Sequence, residues 1–417
     1  MRRGNTFIFL AIVILVLLCI DWYAFQGVRT LTANWQQKSL RTAVHALFWT
    51  INITGIVMAS YGLLTMQNHG MNTIGTIGFN ALLTLLVTQL VFILFLFGED
   101  IYRGIYGLVV RIASSESHSG AYVPERRKLI SQIGILVAAV PFTSFIYGIA
   151  RGKYNYKVHR HILTLTDLPQ AFDGFTITQI SDIHAGSFTD RKAVGHGIDL
   201  INEQKSDLFL FTGDLVNQHA DEFIPWKEAF SKIRAPFGQF SILGNHDYGD
   251  YGDWPSADAK AKNHADLIQH HADTGFRLMR DEHITLEKEG AQISLIGVQN
   301  WGHGFKQEGD LEKALSGIDP DTFKILMSHD PTHFEHQVKN HPTKIHLTLS
   351  GHTHGMQMGV EFPWLKWSPV QYRYPRWAGM YTENDRFLHI NRGFGFLGFS
   401  GRVGIWPEIT VIELRKA

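Results

Sequence analysis

Residues 42–98 contain no Asp, Glu, Lys or Arg. No water-soluble fold readily accommodates an uncharged stretch that long, and it exceeds the roughly 20 residues that one membrane-spanning helix needs. The polar group Gln67-Asn68-His69-Gly70 breaks it, giving two spans near residues 44–66 and 75–97. Residues 4–20 are also uncharged, and their apolar character continues past Asp21 to about residue 25. Residues 129–150 form a fourth such run, with Pro141 inside it. The expectation is an all-α region of four transmembrane helices at about 5–25, 44–66, 75–97 and 129–150. The competing reading, buried core helices of a soluble protein, has to explain four uncharged runs at once.

Ionisable groups inside spans mark transport pathways. Here only Asp21 and His45 qualify, and both are expected near span ends, so the region reads as an anchor. Lys and Arg in short loops set orientation. Arg29, Lys38 and Arg41 fall in the first loop, and Arg103, Arg111, Arg126, Arg127 and Lys128 in the third. This favours a multi-pass protein of the inner (cytoplasmic) membrane with everything after residue 150 extracytoplasmic. Arg2, Arg3, Arg151, Lys153 and Lys157 oppose that placement. Arg126-Arg127-Lys128 before an apolar run resembles a twin-arginine export signal in an internal position, and two interfacial arginines explain it equally well.

Residues 151–417 change character, with charges and turn residues throughout. Short apolar runs that read as strands each stop at a polar cluster: Ser181-Asp182-Ile183-His184, Gly213-Asp214, Gly244-Asn245-His246-Asp247, Ser328-His329-Asp330-Pro331 and Ser350-Gly351-His352-Thr353-His354-Gly355. Helices are expected at 190–204 and 257–274, a hairpin at 283–298, and late strands at 387–391 and 409–414. Alternating strands and helices make an α/β domain, whose sites form at the carboxyl ends of strands. Gly-Lys-Thr is absent, which argues against P-loop nucleotide binding.

The single cysteine, Cys19, excludes an intrachain disulfide and a cysteine zinc site, so any metal here uses His, Asp, Asn or Glu. Nearly all of the 22 histidines follow residue 150, and the net formal charge is zero, so no nucleic-acid partner is implied. Asp182, His184, Asp214, Asn245, His246, His329, His352 and His354 are too many donors for one ion. With one carboxylate shared, they suit two divalent ions of the Mn, Fe or Zn type. Such a pair holds the oxygens of an in-line phosphoryl displacement.

Taken together and in this order, the five clusters resemble the calcineurin-like metallophosphoesterases. Ser-Asp-Ile-His, Ser-His-Asp-Pro, Asn391-Arg392-Gly393 and Pro407-Glu408-Ile409 resemble its membrane-associated YkuE/YaeI-like phosphodiesterase branch. The four-span region lies outside the core pattern of that family. The resemblance implies a four-layer sandwich of two mixed β-sheets flanked by helices over residues 151–417. It also implies a ligand set: Asp182, His184 and His354 for one ion, Asn245, His329 and His352 for the other, with Asp214 bridging. His246 is the implied catalytic group, protonating the leaving oxygen, and Asn245 and His246 are the implied substrate contacts. Asp247 is considered as an orienter of His246.

The expected reaction is hydrolysis of a phosphodiester or pyrophosphate, and a lipid-linked substrate suits the membrane setting. A nucleotide-diacylglucosamine would require a cytoplasmic site, against the charge reading above. The rival readings are a non-catalytic scaffold of the same fold and a membrane sensor. Asn217 reads equally as a substrate contact or a turn residue, while His303 and the pair His270-His271 read as solvated. The aromatic run Trp364, Trp367, Tyr372, Tyr374 and Trp377 is expected to pack a C-terminal subdomain, with a membrane-facing lip as its alternative.

Overall fold

A computed structural model describes residues 3–66, 70–113 and 124–417. The break expected at 67–70 lies mostly outside the described residues, as does Arg2. Packing divides the chain into two compact units, Met1–Tyr147 and Gly148–Ala417.

The first unit is built from α1 (Arg3–Thr32), α2 (Lys38–Leu64), α3 (Thr73–Ala113) and α4 (Pro124–Ala150). Each contains a stretch long and apolar enough to cross a membrane. Large apolar side chains such as Phe9, Leu94, Ile112 and Leu136 stay exposed, as lipid-facing positions must. Small residues permit close approach where α2 meets α3: a Cβ on Gly62 would collide with the backbone of Gly75.

Two expectations change here. The apolar character of α1 runs on to Thr32, so Asp21 lies well inside the helix rather than near its end. It is buried, and with Asn52 and Gln89 it lines a small cavity. The third helix does not stop at residue 97. It continues to Ala113, and Glu99 within it is paired with Arg126 and Arg127 from α4, each at 3.0 Å.

The second unit contains two six-stranded sheets. In chain order the elements are β1 (Lys157–Leu165), β2 (Thr176–Ile180), α5 (Arg191–Glu203), β3 (Leu208–Phe211), α6 (Lys227–Phe230), β4 (Gln239–Ser241), α7 (Ala257–Asp273), β5 (Arg277–Leu278), β6 (Glu282–Lys288), β7 (Ala291–Gly297), α8 (Leu311–Leu315), β8 (Phe323–Met327), β9 (Leu347–Ser350), β10 (Val360–Phe362), β11 (Leu365–Trp367), β12 (Gly379–Glu383), β13 (Arg386–Ile390) and β14 (Glu408–Lys416). The first sheet runs β1-β14-β2-β3-β4-β5 and the second β12-β13-β9-β8-β7-β6. Strands β2 to β5 are parallel, as are β7, β8, β9 and β13, so both sheets are mixed.

The core lies between the sheets, where Ile177, Leu208 and Leu210 meet Leu295, Ile325 and Leu349. Helices cover the outer faces. Asp190 caps α5 by accepting from the N–H groups of Lys192 and Ala193, and Val194, Ile198 and Ile201 turn its apolar stripe inward. On the other side Leu311, Phe334 and Val338 cover Ile296, Leu326 and Ile390. The result is a four-layer α/β/β/α sandwich. Gln179 ties the layers at the carboxyl ends of the strands, donating to Ser350 O at 2.9 Å and lying 2.9 Å from His389 Nδ1.

Several expectations in this unit are also revised. His270 and His271 are buried, since α7 packs Asn263, Leu267, His270 and His271 as one stripe against the sheet. His271 Nδ1 lies 2.9 Å from Ser241 Oγ. The aromatic run splits: Tyr374 and Trp377 are core, while Trp364, Trp367 and Tyr372 are exposed.

Candidate metal centre

Each polar cluster follows the last residue of a central strand. The chain then turns sharply through left-handed backbone at Asp182 (φ 53°), His184 (φ 46°), Asp214 (φ 62°), His352 (φ 72°) and His354 (φ 50°). Such a conformation costs a non-glycine residue about 1–2 kcal/mol, so five together at one place point to a functional constraint. Glycine permits the closeness. A Cβ on Gly351 would strike Ser181 Oγ and Asp182 Oδ2, and Gly213 has φ 95° beside His329.

The loops bring two sets of donors together, Asp182 with His184 and His354, and Asp214 with His329 and His352. Asp214 Oδ2 lies 3.2 Å from His329 Nε2 and 3.5 Å from His184 Nε2, so one carboxylate oxygen reaches both sets. Asn245 Oδ1 lies 2.8 Å from His352 Nδ1, which places its side chain beside the second set. All these residues are buried apart from His352, which is partly so.

The donor set fits cations. His184 Nε2 and His354 Nε2 face each other at 3.0 Å, an arrangement of two lone pairs that requires a proton or a cation. His184 Nδ1 is buried without a hydrogen-bond partner, which is costly unless something else satisfies it. Carboxylate, carboxamide and imidazole together suit a borderline divalent ion.

The charges are interdependent. Burial alone would raise the Asp182 carboxyl, but the His354 and His329 imidazoles outweigh it and hold the carboxyl below its usual range. Burial would likewise push His329 down, yet the Asp214 charge beside it lifts the imidazole to about 10. The Asp214 carboxylate and the His329 imidazole therefore stabilise each other's charged forms.

Supporting contacts come from groups around the donor sets, most of them with no sequence signature. Thr212 O accepts from His329 Nδ1 at 2.7 Å, leaving Nε2 toward the cluster. Tyr374 Oη lies 2.8 Å from His352 Nε2, and Arg402 Nη2 lies 3.2 Å from His354 Nδ1. Asp330 Oδ2 stands 3.4 Å from His352 Nε2.

His246 lies beside the cluster, its ring 5.0 Å from that of His184 and its Nδ1 2.7 Å from Asn217 O. Asp247 does not orient it. The Asp247 carboxylate turns the other way and accepts from the N–H groups of Asp214, Leu215 and Gly244, bracing the turn that carries Asp214. The side chain of Asn217 pairs with Ser187, so its contribution to the site is the carbonyl. His303 is exposed and stacks on His336.

Two sheets with polar clusters at their carboxyl ends, and two donor triads with the Asp214 carboxylate within reach of both, define the architecture of a metal-dependent hydrolase. Comparison with known families agrees. The pattern described as "Calcineurin-like phosphoesterase" matches residues 175–356, and "Probable Calcineurin-like phosphoesterase, transmembrane domain" matches residues 2–153. The chain is 32% identical over 302 residues to the uncharacterized metallophosphoesterase YkuE of Bacillus subtilis, covering 70% of this chain and 97% of that one. The chain belongs to the calcineurin-like phosphoesterase family and is a membrane protein and a hydrolase. It is also similar to a transmembrane protein with metallophosphoesterase domain of Danio rerio, at 26% identity over 79% of this chain and 71% of that protein. A third relative, the UDP-2,3-diacylglucosamine pyrophosphatase LpxG of Chlamydia trachomatis, is 26% identical over 55% of this chain and 81% of its own.

Proposed function

We propose that the chain is a membrane-anchored, two-metal phosphoesterase that cleaves a phosphodiester or pyrophosphate bond of a lipid-linked substrate. The observation that carries this reading is the pair of donor triads joined by Asp214. Residues 1–128 would supply three spans and a loop, 129–150 the fourth span, and 151–417 the catalytic domain.

In this reading Asp182, His184 and His354 hold one divalent ion and Asn245, His329 and His352 the other, with Asp214 shared. Mn, Fe and Zn all accept this donor set. Bound there, two such ions would supply Lewis acidity toward water and the phosphoryl oxygens. Thr212 O and Tyr374 orient the imidazoles, and Asp247 holds the Asp214 turn rigid. Asn245 contacts the phosphoryl oxygens through its amide. His246 keeps a proton on Nδ1 for Asn217 O, so Nε2 is the atom that exchanges a proton with the leaving oxygen.

The preference for a diester or pyrophosphate has a relative in its favour, since LpxG is named for pyrophosphate cleavage of a nucleotide-linked lipid. Arg29 at the end of α1, Lys38 and Arg41 at the start of α2, Arg111 at the end of α3, and Arg126, Arg127 and Lys128 at the start of α4 support an inner-membrane protein with an extracytoplasmic domain. That placement favours an outer-leaflet lipid over a cytoplasmic nucleotide conjugate.

The test compares bis(p-nitrophenyl) phosphate with p-nitrophenyl phosphate, using the full chain in detergent with manganese or chelator. Faster diester hydrolysis that chelator abolishes supports the proposal. Monoester preference, or no turnover of either ester with any divalent metal, contradicts it.

A further inference from the structure

Strands β10 and β11 pair only with each other, outside both large sheets. Their register sets Glu361 opposite Lys366, Phe362 opposite Leu365 and Val360 opposite Trp367. Alternate residues of a hairpin face opposite ways, so this register gives it two different faces. Glu361 and Lys366 hold one face down. Glu361 pairs with Arg392, and Lys366 donates to Ala378 O while lying 4.9 Å above the Trp377 ring. The other face presents Phe362, Leu365 and Trp367 outward. Trp364 at the turn is 80% exposed and stacks on Phe362, and Tyr372 just beyond is 81% exposed. Nothing among the described residues covers this aromatic surface, and patches of this kind mark interaction sites.

What lies beside the hairpin says what covers it. The second compact unit begins at Gly148, and the fourth membrane-spanning segment ends at Ala150. Arg402 N donates to Gly148 O at 3.2 Å, and Ile149 packs on Gly401. The next residue, Val403, donates to Gln357 O at 2.8 Å and accepts from Gly359 N at 2.9 Å. Gly359 is the residue before β10. Two backbone steps, about 10 Å at strand spacing, therefore connect the chain's exit from the bilayer to the base of the hairpin. Trp and Tyr are the side chains that settle at the membrane–water interface.

The hairpin also borders the metal centre. It follows the His352-Thr353-His354 turn by five residues, and Ser368 Oγ at its base donates to Gly355 O at 2.8 Å. Tyr374, which follows, touches His352.

We infer that the hairpin formed by residues 360–367, together with Tyr372, dips into the headgroup region of the membrane that the chain itself spans, and so presents the metal centre to phosphoesters embedded in that bilayer. The docking stands on the hairpin's exposed aromatic face and on its nearness to the end of the fourth apolar segment. The substrate part rests on the hydrolase reading given above.

The test uses the full chain in phosphatidylcholine–phosphatidylglycerol liposomes. Cys19 is the only cysteine, so Cys19→Ser followed by Trp364→Cys gives one labelling site. The nitroxide at 364 should collide with oxygen more than with a water-soluble nickel chelate, as a label at the lipid-facing Leu94 does. A label at Ile162, exposed on β1, should show the reverse. Aqueous accessibility at 364 equal to that at 162 overturns the docking. Shielding from both reagents with spin–spin broadening would mean that a second copy covers the face, and also overturns it.

The second arm measures rates for a phosphodiester lipid in liposomes and for a soluble diester. Phe362→Ser/Trp364→Ser should lower the lipid-to-soluble rate ratio by about tenfold or more. An unchanged ratio overturns the delivery role. If the unaltered chain cleaves neither ester, the hydrolase reading fails, while the label at 364 still decides the docking.

Discussion

Replacing His246 tests the proposed division of labour between the metal centre and the proton donor. The Asn217 carbonyl can only accept, so the 2.7 Å contact keeps a proton on Nδ1 and leaves Nε2 for exchange with the leaving oxygen. Positioned general-acid catalysis contributes about 10²–10⁴-fold, or about 3–5.5 kcal/mol of barrier. His246→Gln removes the imidazole but keeps the backbone N–H that donates to Asp214 Oδ1 at 2.9 Å. The metal ligands should therefore stay in place. The assay compares kcat/KM for two diesters, one with an alkoxide leaving group and one with p-nitrophenolate. The alkoxide ester should lose the full factor and the p-nitrophenyl ester much less, because p-nitrophenolate departs without a proton. Equal losses on both esters, with metal content unchanged, would refute the assigned role.

Three further outcomes follow from the geometry. Asp214→Asn removes the charge shared by the two triads, so the full chain should hold fewer than two ions and lose about 10³-fold or more in rate; full metal occupancy by elemental analysis would count against sharing. Gly351→Ala pushes a methyl group into Ser181 and Asp182 and should destabilise the chain by about 1–3 kcal/mol, read by chemical denaturation in detergent. Burial, followed by the neighbouring His270, lowers His271 to about 3, so the unfolded chain takes up a proton below about pH 6.5 that the folded chain refuses. Stability is therefore fully present above that pH and falls as the solution is acidified toward about 3. This one residue accounts for about 2 kcal/mol between pH 7.5 and 5. His271→Gln should shrink the fall by that amount, and parallel pH profiles would contradict the assignment.

Much of this molecule could be read before its structure, for physical reasons. A strand ending in a ligand-type residue is a local pattern, and five of them in order specify both the family and the side chains that meet. The long uncharged runs made the membrane helices equally legible. Non-local pairing was not readable. Strand β1 pairs with β14 from the far end of the chain, Lys157 opposite Glu408, and its exposed, charged residues hide it as an edge strand. The carbonyls of Thr212 and Asn217 carry no side-chain signal at all. Adjacency in sequence suggests contact between Asp247 and His246, whereas the turn sends the two side chains apart. The buried stripe of α7 had the right spacing, but its histidines disguised a core face as a solvated one. Glu99 looked like the end of a span because its partners, Arg126 and Arg127, come from the next helix.

The most direct test of the central claim is a metal count. The full chain, purified in detergent without chelator and loaded with manganese, should bind two ions per chain by elemental analysis. His184→Ala and His329→Ala should each bind fewer, with phosphodiester hydrolysis falling alongside. Full hydrolysis in chain stripped of metal, or in either variant, would contradict the two-metal account.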